Sequence, residues 1–334
     1  MIRLERMMRR DRLGDEVRFD PAQHEIEQGC RGRAARSIRT QVRQMRPVVV
    51  RAPRWSHPAG FLEQLALDLA VGLPGIGCRT VDLRPLKGRK ASEAWQFTLH
   101  AFSQMGRQEW SRQAPTMVVD RGGFRFALCE LLEKAHQAAE HDVALLAHGA
   151  EHVPVQIIED LNEAWLTYRA AHPEGVRCTL LLTLSAGAGD IQVADSSTID
   201  LVDLGASEAV ARIGYGAGAS ADQLEDVARF TGGIPGLVDA VGMRVRSGDP
   251  LPGDPDVLLQ SLGPLVDEIR GALDIVQMDS VMADRLDSLV AGEVLPQQSR
   301  IDGPLKMAGL IRTVRAHGTP QVALRAPAIA SLMA

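Results

Sequence analysis

Short strand-like runs separated by helical patterns limit the fold of this chain more than any other feature. Two of them, at 143–147 and 178–184, are continuously apolar, which is typical of strands that are covered on both faces, as in a parallel sheet. Between them, apolar residues recur every three or four positions, as at Phe61, Leu62, Leu65 and Leu69. Strand and helix in alternation predict a doubly wound α/β core. The predicted strands span residues 47–50, 78–83, 143–147 and 178–184, with a weaker candidate at 116–119, and the predicted helices span 60–71, 124–140 and 155–172.

The pattern becomes wholly helical after Asp203. A stretch rich in Pro, Gly and Asp at 248–256 predicts a linker. Beyond it, helices precede a predicted hairpin, which is the element order of a winged helix. The lid helices are predicted at 207–213, 221–231 and 237–246, and the hairpin strands at 311–315 and 321–325. Four parts are predicted: a basic helical arm (1–46), an α/β core (47–204), a helical lid (205–250) and a winged-helix domain (251–334).

Charge and cysteine usage bound the setting in which the chain works. The formal charge is −5, yet the first 46 residues hold 12 arginines against 7 acidic residues. A basic arm can attract nucleic acid, an acidic protein or an anionic membrane, or can be a solvated helix face. Cys30, Cys78, Cys129 and Cys178 lie far apart, which fits reduced thiols. With neither an apolar run of ~20 residues nor a signal-like N-terminus, we expect a cytoplasmic protein without membrane contact.

Three short motifs stand at positions where chemistry is often found. The strand at 143–147 ends in His148-Gly149, and the lid carries Gly232-Gly233-Ile234-Pro235. The turn after the first strand reads Ala52, Pro53, Arg54, Trp55, Ser56, His57, Pro58, Ala59.

With these motifs in this order, roughly residues 40–330 resemble P-loop ATPases of the AAA+/STAND type. The likeness is greatest to archaeal-type and transposon-associated members with a C-terminal winged helix. In that family the first loop is GxxxxGK[ST], a later strand ends in two acidic residues, and a third strand carries a polar sensor. The resemblance implies a P-loop NTPase-like core with a parallel sheet, a helical lid and a winged helix.

The turn departs from the family pattern at every position that handles phosphate. Ala52 and His57 stand at the two glycines, Pro58 at the lysine and Ala59 at the hydroxyl residue. The glycines let backbone N–H groups approach phosphate, the lysine supplies a cation, and Ser/Thr ligates Mg²⁺. Pro58 carries no charge and no N–H, although proline suits the first turn of a helix. We expect Trp55 to fill the space that phosphates would take.

The second motif has lost the matching functions. His148 stands at the acid that organises Mg²⁺, and Gly149 at the glutamate that activates water. Mg²⁺ prefers hard oxygen ligands, and glycine cannot polarise water. Thr183 or Ser185 stands at the sensor position and is interpreted as a strand-end polar group. Since the stretch 186–203 contains no arginine, it predicts no arginine finger. Neither ATP nor Mg²⁺ is therefore expected as a cofactor.

The lid motif keeps the GGxP signature that is frequent in the family, as Gly232-Gly233-Ile234-Pro235. Gly232 and Gly233 are expected to cap one helix, and Pro235 to open the next. These positions are architectural, which indicates a shape retained after the catalytic groups were lost.

Histidines and serines give no further chemistry. His136, His141, His148 and His152 are spaced by 5, 7 and 4 residues and lack a second His or Cys pair at ligand spacing, so no metal site is predicted. Serine nucleophiles are not predicted either, because no serine lies in a G-x-S-x-G frame.

The last segment is basic, with five cationic side chains and only Asp302 against them in residues 299–334. A wing is a common source of phosphate contacts. The presumed second helix, residues 300–310, is poor in side chains that read bases, so sequence-specific binding is not expected. Packing against a partner protein or the core is the other interpretation. Candidate nucleic-acid contacts are Arg300, Lys306, Arg312, Arg315 and Arg325.

The sequence thus predicts a catalytically inactive ATPase-like scaffold or adaptor subunit. Such a chain would assemble with a protein partner, either an active ATPase or an effector, or with copies of itself. Its setting would be a bacterial defence, transposition or signalling complex, among which the fold does not choose. Two alternatives stay open: an atypical ATP-binding AAA+ protein in which Arg51 or Arg54 grips phosphate, and an adaptor that binds DNA nonspecifically through the winged helix and basic arm.

Overall fold

The fold was obtained as a computed structural model. The predictions for residues 1–29 and for a strand at 116–119 lie outside the described residues, as do those for His141 and His152. The structure describes residues 30–73, 75–103, 120–138, 142–150, 153–185, 193, 195–214, 219–316 and 318–333.

A five-stranded parallel sheet forms the core, and this confirms the predicted α/β class with a parallel sheet. Its strand order is β2-β3-β4-β1-β5, so β4 separates the strands that precede the two motif turns. The sequence missed β5, which pairs with β1 at the sheet edge and alternates in exposure instead of being continuously apolar. The strands are β1 Val48–Ala52, β2 Ile76–Asp82, β3 Asp142–His148, β4 Cys178–Ser185 and β5 Ser197–Asp200.

Helices cover both faces of this sheet, as a doubly wound core requires. Alternate residues of each strand point to opposite faces: Leu146 of β3 packs with α1 and α2, whereas Leu145 packs with α3, α4 and α5. This two-sided burial explains the continuous apolar runs. The helices are α1 Cys30–Arg43, α2 Pro58–Gly72, α3 Ala91–Ser103, α4 Arg121–Ala138 and α5 Val155–Ala171.

Three helices follow the sheet at the positions expected for the lid. A capping box, in which Ser220 and Gln223 bond to each other's backbone N–H, fixes the start of the second helix. Pro235 opens the third. The helices are α6 Ala206–Gly214, α7 Ala221–Phe230 and α8 Pro235–Arg246.

The C-terminal segment combines helices with a three-stranded antiparallel sheet of order β6-β8-β7. The hairpin pairs Ile311 with Leu324 and Ala316 with Thr319. Apolar side chains of this segment and of α6–α8 form one continuous cluster, which includes Ile234, Leu237 and Ile269. Across the part of the chain described here, every helix is too short or too polar to cross a membrane. The elements are α9 Pro255–Gln260, α10 Pro264–Gln277, α11 Ser280–Val290, β6 Leu295–Pro296, α12 Ser299–Met307, β7 Ile311–Ala316, β8 Thr319–Leu324 and α13 Pro327–Ser331.

Candidate functional site

Two residues of the turn between β1 and α2 have a left-handed backbone conformation that residues other than glycine rarely adopt. Trp55 has φ +61° and His57 has φ +48°. Such residues cost about 1–3 kcal/mol each and persist where their surroundings hold them. Pro53 and Pro58 supply no N–H, and Ser56 uses its own to bond the Pro53 carbonyl at 3.1 Å. A phosphate-binding loop, by contrast, surrounds the anion with N–H groups.

Three successive carbonyl oxygens of this turn, at residues 54–56, accept hydrogen bonds from three other parts of the chain. The first accepts from Arg325 Nη1 at 2.7 Å, the second from the Gly236 N–H at 2.8 Å, and the third from Arg31 Nη2. The turn is therefore tied at once to the hairpin segment, to α8 and to α1.

Arg325 is the centre of this arrangement and is only 2% exposed. Its guanidinium forms a two-pronged ion pair with Asp203, with Nη2–Oδ1 at 2.6 Å and Nε–Oδ2 at 2.9 Å. Nη1 also donates to the Gly309 carbonyl at 3.2 Å. Burial is sustained because carboxylate and carbonyl oxygens replace water around the cation. The prediction that Arg325 contacts nucleic acid is therefore wrong, because its guanidinium is buried and bonded to groups inside the protein.

Trp55 projects from the turn into the apolar cluster shared by the lid and the C-terminal segment. Its ring lies near two guanidinium groups, 5.4 Å from Arg54 Cζ and 6.0 Å from Arg325 Cζ. Gly309, at φ +81°, passes so close that a Cβ there would lie 2.9 Å from Trp55 Cζ3. Trp55 thus anchors the turn to distant segments; that it also fills a phosphate space stays a prediction.

Arg31 holds the other side of the turn. The side chain is buried, and its guanidinium lies 5.6 Å from the Phe61 ring centre. Burial, followed by the nearby charge of Arg212, lowers the pKa of Arg31 to about 10. The group therefore remains charged near neutral pH.

His57 links the turn to the lid through Asp239 of α8. Its Nδ1 lies 3.0 Å from Asp239 Oδ2, and the same carboxylate pairs with Arg212 of α6. Burial alone would raise the pKa of Asp239, but hydrogen bonds from His57 and Arg212 outweigh it and hold that pKa below its usual range. His57, which the predicted alignment places at the second glycine, thus contacts the lid.

The lid motif performs its predicted architectural role. Gly232 and Gly233 have φ +61° and +72° and follow the end of α7. The carbonyl of Gly233 also accepts a hydrogen bond from the N–H of Leu204, at the end of the core, at 2.8 Å. The motif therefore joins lid and core.

At the end of β3, Arg84 occupies the space that a side chain at position 149 would need. Gly149 has φ +77°, and a Cβ there would lie 2.6 Å from Arg84 Cγ and 3.0 Å from the Arg84 backbone nitrogen. His148 is buried with Nδ1 3.5 Å from Asp82 Oδ1. Asp82 is itself engaged by Arg84, and hydrogen bonds from Arg84 hold the pKa of Asp82 below its usual range.

The sensor candidate Thr183 and the candidate phosphate ligands Arg51 and Arg54 differ in exposure. Thr183 is 1% exposed, and its Oγ1 lacks a hydrogen-bond partner among the residues described. Arg54, one of the two candidate phosphate ligands, has an exposed side chain beside Trp55, whereas Arg51 lies half-buried within β1.

The remaining candidate nucleic-acid contacts differ in exposure. Arg300, Arg312 and Arg315 are exposed, and Lys306 is half-buried. Burial lowers the pKa of Lys306. Two of the four histidines considered as metal ligands in the sequence lie apart in their contacts. His148 faces Asp82, whereas His136 is hydrogen-bonded to Tyr168 and stacks on His172.

The fold is similar to that of solved P-loop ATPases. A Walker-type ATPase of Pyrococcus abyssi, PABY2304, is 13% identical; the similarity covers 91% of this chain and 95% of that chain at a TM-score of 0.58. A STAND protein of Pyrococcus horikoshii with a tetratricopeptide repeat sensor, PH0952, is 12% identical over 89% of this chain and 41% of that chain, at a TM-score of 0.41. Cdc6p of Pyrobaculum aerophilum is 14% identical over 86% and 85%, at 0.42. No protein-family model and no curated protein matches the chain.

The class defined by these observations is an α/β protein with a P-loop ATPase-like core. At this level of identity the likeness is one of fold alone. Activity has to be argued from the residues of this chain.

Proposed function

We propose that this chain is a catalytically inactive ATPase-like scaffold or adaptor that assembles with a protein partner. The proposal rests on the turn after β1. Its carbonyl oxygens at residues 54–56 accept hydrogen bonds from Arg325, Gly236 and Arg31 of the same chain. This turn is hydrogen-bonded to other segments of the same chain, and Pro58, which has no N–H, begins the helix that follows. Such a turn is better suited to hold segments together than to bind phosphate.

Two further features support the loss of hydrolysis. The water-activating position is Gly149, where Arg84 occupies the space of a side chain. The Mg²⁺ position is His148, and imidazole is a poor ligand for that ion. Without hydrolysis, the proposed role of the fold is to present a surface to a partner protein. The C-terminal segment is proposed as a winged-helix domain, and the partner as an active ATPase or effector.

A thermal-shift measurement tests the loss of nucleotide binding. A ligand at about 100 times its Kd adds about 2.7 kcal/mol, which moves the midpoint by several degrees. We expect millimolar ATP with Mg²⁺ to leave the midpoint unchanged, and phosphate release to match a protein-free blank.

A clear upward shift would contradict this prediction. The variants Arg51→Ala and Arg54→Ala then identify the cause. Loss of the shift in either variant would establish the atypical nucleotide-binding protein, with an arginine in place of the lysine.

Nonspecific DNA binding is a second candidate, favoured by the exposure of Arg300, Arg312 and Arg315. Each phosphate contact contributes about −0.9 to the slope of log K against log salt for duplex DNA. Replacing all three by alanine is expected to weaken binding and flatten the slope by up to about 2.7. The control is Arg229→Ala, since Arg229 is exposed on the lid and paired with Asp226. Equal binding by the triple variant and the wild type would exclude this role.

A further inference from the structure

We propose that His136, His172 and Glu174 form a binding site for a divalent transition metal, and that Zn²⁺ suits it best. The three residues each offer a ligand atom within 4.8 Å of the other two. No such site was predicted, because His172 and Glu174 do not belong to the histidine group that the sequence suggests.

The site lies where two helices of the core come to an end. His136 occupies the last turn of α4, His172 caps the C-terminus of α5, and Glu174 follows in the turn before β4. The strands β3 and β4 begin close to this point, whereas the turn after β1 lies beyond a strand's far end. The metal site is thus separate from the turn that supports the proposed function.

Each histidine already has one ring nitrogen held by a neighbour. Nδ1 of His136 lies 2.7 Å from the Tyr168 hydroxyl, and Nε2 of His172 lies 3.0 Å from Glu133. This arrangement is common around metal-binding histidines, whose second nitrogen donates to a carboxylate or other oxygen. The Tyr168 oxygen also accepts the Arg177 N–H at 3.0 Å, which fixes its position.

The opposite nitrogens are the candidate ligands. Among the described residues, Nε2 of His136 has no hydrogen-bond partner, while Nδ1 of His172 lies 3.2 Å from Glu174 Oε1. A cation that displaces the proton between these last two atoms would gain both as ligands. The side chain of Glu174 is 67% exposed, so its carboxylate can move toward the ion at little cost.

Metal binding requires one ring to turn. The imidazoles of His136 and His172 are stacked, with centroids 3.8 Å apart and planes 17° from parallel. Lone pairs in near-parallel planes do not converge on one point, whereas Zn²⁺ needs nitrogens at about 2.0–2.1 Å in a tetrahedral arrangement. Rotation of His136 about its side-chain bonds would bring its lone pair toward the other two ligands and would exchange its hydrogen bond to Tyr168 for the bond to the metal.

The ligand set selects the ion by chemistry. Two imidazole nitrogens and one carboxylate are poor ligands for Mg²⁺ or Ca²⁺ and good ones for Zn²⁺. Three protein ligands leave a fourth position for water or for a group from a partner. Bound metal would join the ends of α4 and α5 and so stabilise their packing on the face of the sheet.

Chelator-treated full-length chain provides the test. Calorimetric titration with Zn²⁺ is expected to show one ion per chain, and Co²⁺ is expected to give the visible absorption of a tetrahedral complex. Zn²⁺ should also raise the thermal midpoint. His136→Ala and Glu174→Gln should each weaken binding at least about tenfold, and Glu133→Gln, which alters only the partner of His172, by about 10–100-fold.

His148→Ala is the matched control, because His148 lies beside Asp82 and outside this cluster. It should bind Zn²⁺ as the wild type does. Circular dichroism of each variant without metal shows whether it folds. Absence of one-to-one binding in the wild type would overturn the proposal, as would equal affinity in folded His136→Ala and Glu174→Gln. Neither result depends on the response to ATP.

Discussion

Replacing Arg325 by methionine is expected to destabilise the folded chain by about 3–5 kcal/mol. The substitution leaves the Asp203 carboxylate, whose side chain is 11% exposed, without its cationic partner. It also removes the donors to the carbonyls of Arg54 and Gly309. An uncompensated buried charge is among the most destabilising changes in a protein interior. Urea denaturation followed by fluorescence and circular dichroism measures the effect.

Arg315→Met is the matched control, since Arg315 has an exposed side chain on the hairpin that Arg325 directly follows. Its effect should stay within about 0.5 kcal/mol. The double variant Arg325→Met with Asp203→Leu should recover part of the loss, because an apolar pair can replace a buried ion pair. Equal unfolding midpoints for Arg325→Met and Arg315→Met would show that the ion pair does not hold the hairpin segment to the core.

The core could be predicted from the sequence because burial on two faces leaves a local signal. Leu145 and Leu146 face opposite sides of the sheet and are both covered, so residues 143–147 of β3 form a continuous apolar run. The edge strand β5 leaves no such signal: Ser197–Asp200 alternates between half-buried and exposed residues, and only its pairing with β1 makes it a strand.

The site could be predicted only as far as residue type carries the chemistry. Pro58 and Gly149 cannot perform the roles of lysine and glutamate in any environment. The tertiary contacts of the site could not be predicted in this way. Arg325 resembles Arg312 and Arg315 in sequence, yet tertiary packing buries it against Asp203, 122 residues away. A partner at that separation leaves no spacing pattern to detect.

Gly233→Ala should be the other strongly destabilising substitution, costing about 3 kcal/mol or more. A Cβ at this position would lie 2.0 Å from the Leu204 carbonyl oxygen, which is a backbone atom and cannot rotate away. The φ of +72° adds strain, because an L side chain in that region costs roughly 1–2 kcal/mol. Relief would require Leu204 to move and break its 2.8 Å hydrogen bond to Gly233.

Gly248→Ala separates these two terms. Gly248 has φ +88°, and an added Cβ would meet nothing within 4 Å, so only the backbone strain applies. Its cost should be about 1 kcal/mol, reduced by the lower entropy of the unfolded chain. The excess for Gly233→Ala is then the steric cost of separating lid from core. Because Leu204 adjoins Asp203, that separation should also weaken the Arg325 ion pair, and the combined Gly233→Ala, Arg325→Met variant should lose less than the sum of the single losses. Strict additivity would mean that the two contacts act independently.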